Sequence, residues 1–273
     1  MATAFPAVET LEQVLDLAAH APSARNAQPW RWRVDRHGVQ LLADWTRRLG
    51  DTASDRRDVV LSCGAVLHHC TVAFAAAGWT SRVHRDIDGD VLATLEPALR
   101  PPGAGSVELG RAIAGRRSDR RPYTGALPAG TVELLVIRAQ RFGVELAVVP
   151  AARWARTGPA EFRLSYGDVS AGHPGDDAVM LVLGTGTDTA LNRLRTGEAL
   201  SDLTLAATAL GLVTCPLTEP LRDNRDRLAL ACEVYDGEAL PQALVRLGAR
   251  ATGAPLPAVP RRPVAETTVF DLN

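Results

Sequence analysis

Not one of the 30 basic residues in this 273-residue chain is a lysine; all are arginine. The absence excludes a lysine Schiff base and the phosphate-reaching lysine of a P-loop, and leaves arginine as the cationic ligand for any anion. Cysteine is scarce as well. Cys63, Cys70, Cys215 and Cys232 form no Cys-x-x-Cys pair and are too few for a disulfide scaffold, which points to reduced core thiols in a cytoplasmic protein. The net charge is −1 at pH 7, so there is no electrostatic footprint for nucleic acid or an anionic membrane. "MATAFPAVET" lacks the basic and apolar regions of a signal peptide. The most apolar run, Val59 to Ala77, is interrupted by Ser62, His68, His69 and two cysteines and reads as a buried core helix, not a membrane span.

What is present is a chain 46% hydrophobic, enough for one large domain or two small ones. Thr10 with Gln13 resembles a capping box and predicts a helix that ends before Pro22. "WRWRV", a turn at "DRHG" and "VQLLA" predict a hairpin. After an Ala-rich helix ending at Gly78, strands are expected around Ser81 to Asp86 and Val91 to Glu96. The linker-like "RPPGAGS" then divides the chain into units 1–103 and 104–273. Downstream, the pattern predicts a helix from Val107 to Arg116 capped by Ser106, a helix from Thr131 to Phe142, and the strands "VELAVV", "AVMLVLG", "VTCPL" and "QALVRLG". Helices are also expected from about Ala190 to Leu210 and near Arg222 to Leu230, with a polar, Gly/Pro-rich loop or flap over 157–177. Irregular alternation of strands and helices favours an α+β fold over a doubly wound sheet.

One repeat stands out. "GAVLHHCTVAFAAAGW" from Gly64 aligns without a gap on "GEALSDLTLAATALGL" from Gly197, so that Gly64/Gly197, Leu67/Leu200, Thr71/Thr204, Ala73/Ala206, Ala76/Ala209 and Gly78/Gly211 coincide. The offset, 133, is close to half the chain. The economical reading is two copies of one helix-plus-sheet unit, fused so that one polypeptide imitates a homodimer.

Three polar segments carry the chemistry. "APSARNAQPW" packs hydrogen-bonding side chains between a helix and a strand, "GRRSDRRPY" is a basic loop, and "LAATALGLVTCPLTE" runs from a helix into a proline-containing segment. In this order they resemble the FMN-dependent nitroreductase superfamily, specifically its Acg-type branch of fused pseudo-dimers, and "VRLGARATGAPLPAVPRR" is similar to that family's final strand and basic tail. The resemblance implies a nitroreductase-like fold of tandem halves with mixed and antiparallel sheets, and one FMN between the halves. It places Pro22, Ser23, Arg25, Asn26 and Gln28 in one flavin-binding loop, with Ser23 and Asn26 hydrogen-bonding the cofactor. Arg116, Arg117, Ser118 and Arg120 form the other loop, in which Arg116 and Arg120 grip the phosphate and Arg120 also reaches the N1/C2-carbonyl side. Pro216, Leu217 and Thr218 are expected to donate a backbone N–H to flavin N5, and Arg261 or Arg262 to add a tail contact to the phosphate. Each half lacks the motif the other has, so a single complete site is expected, on a chain that works as a monomer.

Taken singly, these segments have plainer readings. The Pro22–Pro29 loop is also an ordinary helix-to-strand turn, and "RRSDRRPY" is also a solvated basic loop paired with Asp119. Trp30 and Trp32 suit packing beside the sheet, with lining of a ligand pocket as the other option. His68 and His69, about 100° apart on a helix and without a third ligand, fit core packing and not a metal site. "GTGTD" at Gly184 lacks the dinucleotide-binding spacing, there is no Gly-x-Ser-x-Gly elbow, and no catalytic side chain is expected where the flavin supplies the chemistry. Two functions follow from the resemblance. One is NAD(P)H-dependent reduction of a nitroaromatic, quinone or similar small acceptor by ping-pong transfer; the alternative is non-catalytic binding and storage of FMN under a closing flap.

Overall fold

In "WRWRV" alternate side chains are buried, Trp30, Trp32 and Val34, while Arg31 and Arg33 face outward, the pattern of a strand with one face on a core. Both tryptophans are spent on that core. The computed structural model describes residues 5–85, 87, 89–167 and 170–272; the predicted strand end at Asp86 and flap residues 168 and 169 lie outside them. The chain begins α1 (Val8–Ala18), β1 (Trp30–Asp35), β2 (Gly38–Ala43), α2 (Ala53–Ala76), β3 (Thr80–His84) and β4 (Val91–Ala98). There follow α3 (Ala104–Ala112), β5 (Tyr123–Thr124), α4 (Thr131–Gln140), β6 (Glu145–Val148), β7 (Trp154–Arg156), β8 (Phe162–Leu164) and β9 (Val179–Thr185). It closes with α5 (Ala190–Ala209), β10 (Val213–Leu217), α6 (Asn224–Tyr235), β11 (Leu240–Gly248), β12 (Arg250–Ala251), α7 (Val264–Thr267) and β13 (Thr268–Asp271).

The larger sheet has the order β13-β1-β2-β4-β3 and the second β10-β11-β9-β6, so the fold is α+β. β13 lies parallel to β1, with Thr268 opposite Trp32. The C-terminal segment thus returns to the sheet built by the start of the chain. Sequence patterning shows no strand there, because four partly exposed residues form one only where the edge of β1 offers its free N–H and C=O groups.

Several expected boundaries shift. α1 starts at Val8 behind Ala7 without a side-chain cap, so Thr10 and Gln13 do not cap it. A capping box sits instead on α2, where the Asp55 N–H donates to Thr52 Oγ1 (3.2 Å) and the Thr52 N–H to Asp55 Oδ2 (3.0 Å). α3 begins at Ala104, ahead of Ser106, which caps nothing. The 157–177 segment is not wholly irregular: β8 pairs antiparallel with β7. Cys63, Cys70 and Cys215 are buried, their thiols pushed up by burial, but Cys232 is exposed and is no core residue.

α2 and α5 cross at the centre. A Cβ on Gly64 would stand 2.0 Å from the Leu194 carbonyl oxygen, and one on Gly197 would stand 2.1 Å from the Leu61 carbonyl oxygen. Leu61 and Leu194 are separated by the same 133 positions as Gly64 and Gly197. So are His68 and Ser201, which meet at 2.7 Å between Nδ1 and Oγ. Contacts that map onto themselves under the repeat are isologous, as across a two-fold dimer interface; the tandem halves form an intramolecular pseudo-dimer. His69 Nδ1 also lies 2.7 Å from Ser201 Oγ, and His68 Nε2 is 3.4 Å from Asp202, which Arg138 grips with two nitrogens. Both histidines therefore serve the helix crossing. α2 is long and apolar enough to cross a membrane by composition, but 89% of its apolar window is buried inside the protein; it is the core helix.

Candidate functional site

The Ser23 loop carries backbone strain that locates it. Arg25, Asn26 and Gln28 all have positive φ, 47°, 56° and 49°, which for non-glycine residues costs on the order of 1–3 kcal/mol each. The surroundings hold it there. The Gln28 N–H donates to Ser23 Oγ (3.1 Å), the Ala24 N–H to Ser62 Oγ on α2 (3.4 Å), and Arg47 Nε to the Ala27 carbonyl (2.6 Å). The C-terminal tail straps it from outside: Arg261 Nη1 donates to Asn26 Oδ1 (2.8 Å), Asn26 Nδ2 to the Pro260 carbonyl (3.1 Å), and the Arg262 N–H to Gln28 Oε1 (2.8 Å).

Beside this loop runs the Arg116 loop. Ser118 bridges to Thr214, and the Asp119 N–H donates to the Thr214 carbonyl (3.0 Å), which lays residues 116–120 along the start of β10 and hence near Pro216, Leu217 and Thr218. Between the loops is a cavity of about 340 Å³. It is lined by Pro22, Ser23, Arg25 and Asn26, by Arg116, Arg117, Ser118 and Arg120, by Pro216, Leu217 and Thr218, and by Arg261. Segments up to 241 positions apart in sequence thus meet in one place.

Its electrostatics are one-sided around Arg116. Arg116 and Arg261 both donate to the His20 carbonyl, at 3.2 and 3.3 Å, and Arg116 Nη1 also donates to Ser118 Oγ (3.1 Å). Arg117 reaches only backbone carbonyls. None of the three has a carboxylate within ion-pair distance among the described residues, and the Nε of Arg116, of Arg117 and of Arg261 is buried with no hydrogen-bond partner. Burial, then the neighbouring Arg261 and Arg117, lower the Arg116 guanidinium to about 10. Burial and Arg117 lower Arg261 likewise. Three guanidiniums kept this close without a counter-ion, each with an unspent donor, suit a multiply charged anion with several acceptor oxygens.

Other expected residues take different parts. Arg120 Nη2 pairs with Glu219 (2.5 Å) and its Nη1 donates to the Ala160 carbonyl, so its charge is already matched within the chain. Asn26 spends both side-chain atoms on the tail and acts by position. Gln28 and Arg262 lie outside the cavity lining; they bind each other and fix the strained loop, and Arg262 leans also on Asp44 and Glu266. The Thr218 N–H is turned to Glu219 Oε2 (3.2 Å), Pro216 has no N–H, and Leu217 lies in the β10–β11 ladder opposite Leu244. The cavity also takes in residues not singled out by the sequence, notably Asp58 and Ser62 of α2, Glu219, and Leu256 to Val259 of the tail. A second cavity of about 840 Å³ adjoins it and shares Arg25, Arg120, Leu217 and Glu219. Residues 160–164, 166 and 167 of the expected flap line that second cavity, whereas no described residue of 157–177 lines the first.

Tandem halves crossing at two glycines, with one cationic cavity between them, define a nitroreductase fold in fused-dimer form. The chain belongs to the nitroreductase family that includes two Mycobacterium tuberculosis proteins. It is 38% identical over 319 residues to "Putative NAD(P)H nitroreductase Rv3131", covering 97% of this chain and 93% of that protein. It is 33% identical over 318 residues to "Putative NAD(P)H nitroreductase acg", covering 94% and 95%. In structure it resembles a protein from Anabaena variabilis described as a putative nitroreductase, with a TM-score of 0.62 at 11% identity over 90% of this chain and 89% of that one, a likeness of fold. No family model matches the chain.

Proposed function

We propose that the chain is an FMN-dependent oxidoreductase that passes electrons from NAD(P)H to a nitroaromatic, quinone or similar small acceptor, working in the cytoplasm as a monomer. The halves 1–103 and 104–273 each contribute one part of a single site. The observation that carries this reading is that Arg116, Arg117 and Arg261 line the cavity with no carboxylate within ion-pair distance among the described residues, which fits the dianionic phosphate of FMN. The names of the curated relatives point to the same chemistry.

In this reading Arg116, Arg117 and Arg261 hold the phosphate, each charge-assisted hydrogen bond contributing about 1.5–3 kcal/mol. Ser118 adds a hydroxyl beside them, and Pro22, Ser23 and the backbone of the strained loop bound one wall of the cofactor space. Bound FMN supplies two-electron transfer between the nicotinamide and the acceptor. Pro216, Leu217 and Thr218 form the opposite wall. Arg120, balanced by Glu219, stands where the two cavities meet. The second cavity gives a small molecule a way in, and this favours turnover over sequestration under a flap.

The test is direct. The purified protein is expected to be yellow, to carry one FMN per chain on a monomer in sedimentation, and to bleach rapidly when NADH or NADPH is added anaerobically. Bleaching by dithionite alone would support storage. A colourless protein that ignores added FMN, or two FMN per chain, would refute the site.

A further inference from the structure

Asp58 is a buried acid on α2, 3% exposed, with no place in the cofactor-holding set. It lies on the same face of α2 as Leu61 and Ser62, three and four positions on, and all three line the first cavity. Ser62 Oγ donates to the Asp58 carbonyl (2.6 Å), which steadies this turn. Asp58 Oδ2 accepts from Arg222 Nη2 (3.0 Å), while Oδ1 is buried without a partner. A buried carboxyl oxygen without a hydrogen bond is costly unless it is protonated or gains a partner.

We propose that Asp58 is the proton donor of this site, a catalytic residue that protonates the acceptor as it is reduced. The proposal rests on the FMN reading above. Reduction of a quinone to a hydroquinone adds two electrons and two protons. Both electrons and one proton come from the reduced cofactor, recharged by NAD(P)H. The second proton comes from Asp58, whose carboxyl O–H breaks as the acceptor O–H forms, and solvent reprotonates the carboxylate before the next turnover.

The surroundings hold Asp58 in a range where this can work. Burial raises its carboxyl above the ordinary aspartate value, and Glu219 acts in the same direction; Thr218, Arg57 and Arg222 oppose them without prevailing. Asp55 shares Arg222 at 3.0 Å, so that guanidinium is divided between two acids. His20 and Arg116 face the same cavity from α1's end and the Arg116 loop. Arg222 gives the carboxylate left after proton transfer a partner, and Asp58 lines the cavity in which the acceptor would sit.

The experiment compares two acceptors with FMN-loaded protein: menadione, which needs protons, and ferricyanide, which takes electrons alone. In the unaltered protein, reoxidation by menadione should slow as pH rises through a single ionisation above the usual aspartate range, with ferricyanide unaffected. Asp58→Asn should slow menadione reduction about 100-fold or more at neutral pH, the usual scale for losing a general acid. It should also abolish that pH dependence and change ferricyanide reduction less than about threefold, and Asp58→Glu should recover part of the menadione rate. An infrared pH-difference spectrum of the unreacted, FMN-loaded protein should show one protonated-carboxyl band titrating in the same range, absent from Asp58→Asn. A flat menadione profile in the unaltered protein, or equal loss with both acceptors in Asp58→Asn, overturns the assignment. If Asp58→Asn does not fold, the profile and infrared titration of the unaltered protein decide. Failure to bind FMN at all would instead overturn the reading on which the proposal rests.

Discussion

Arg116→Ala separates phosphate recognition from folding, and the structure sets both magnitudes. In the free protein the guanidinium is lowered from its ordinary value to about 10, which corresponds to about 3 kcal/mol against its charged form. This cost is fully present below pH 10 and is relieved only as pH rises through 10 toward the ordinary guanidinium value. Removing the side chain relieves it and loses two hydrogen bonds, to His20 and Ser118, of about 1 kcal/mol each. The terms nearly cancel, so the free variant should melt within about 4 °C of the unaltered protein. Binding should not be spared. Loss of one charge-assisted contact of about 1.5–3 kcal/mol should weaken FMN roughly ten- to a hundredfold, whereas riboflavin, which has no phosphate, should weaken less than about threefold. Fluorescence quenching titrations with both ligands and a melting curve of the free protein make the comparison. Unchanged FMN affinity, or an equal loss for riboflavin, would remove Arg116 from the phosphate site; a large fall in melting temperature would refute the cancellation.

Two further outcomes test the frame around the site. Gly64→Ala drives a methyl to 2.0 Å from the backbone oxygen of Leu194, which no side-chain rotation can relieve, so the helices must part at a cost of about 3 kcal/mol or more. Gly115→Ala, whose Cβ would meet only the Thr208 methyl at 3.6 Å, is the control, and equal melting of the two variants would show that the crossing is not tight. Asp188 accepts from Arg193 (2.6 Å) and Arg227 (3.1 Å). Burial raises its carboxyl, but these two arginines overcome that and bring it to about 2 from 3.8. A depressed carboxylate contributes stability above its unfolded pKa and loses it as pH falls through the folded one. Discounted for solvent screening, its worth is about 1 kcal/mol. Asp188→Asn should therefore melt lower than the unaltered protein by about 2–4 °C at pH 7 and equally near pH 2; a pH-independent difference would exclude the ion pairs as its cause.

How far the sequence alone reached can be traced through its residues. The alternation in "WRWRV" set β1 and its buried tryptophans, because a strand's period of two is local. The 133-residue offset marked Gly64 and Gly197, since a helix crossing needs small residues at one point on each helix, and a repeated unit places them at repeated positions. The order of the Ser23, Arg116 and Pro216 segments identified the family and most of the cavity wall. Tertiary structure alone decided which charges remain free: Arg120 is balanced by Glu219, 99 positions away, while Arg116, Arg117 and Arg261 have no acid among the described residues. It alone showed that Asn26, Gln28 and Arg262 brace the strained loop against the tail, through hydrogen bonds that span some 234 positions. It also laid β13 on β1 and brought Asp58 to the cavity wall. Periodicity and motif order are properties of neighbouring residues, and a chain displays them directly. Whether a charge is matched or a carboxyl is orphaned depends on partners supplied by distant segments, and only the folded chain brings those together.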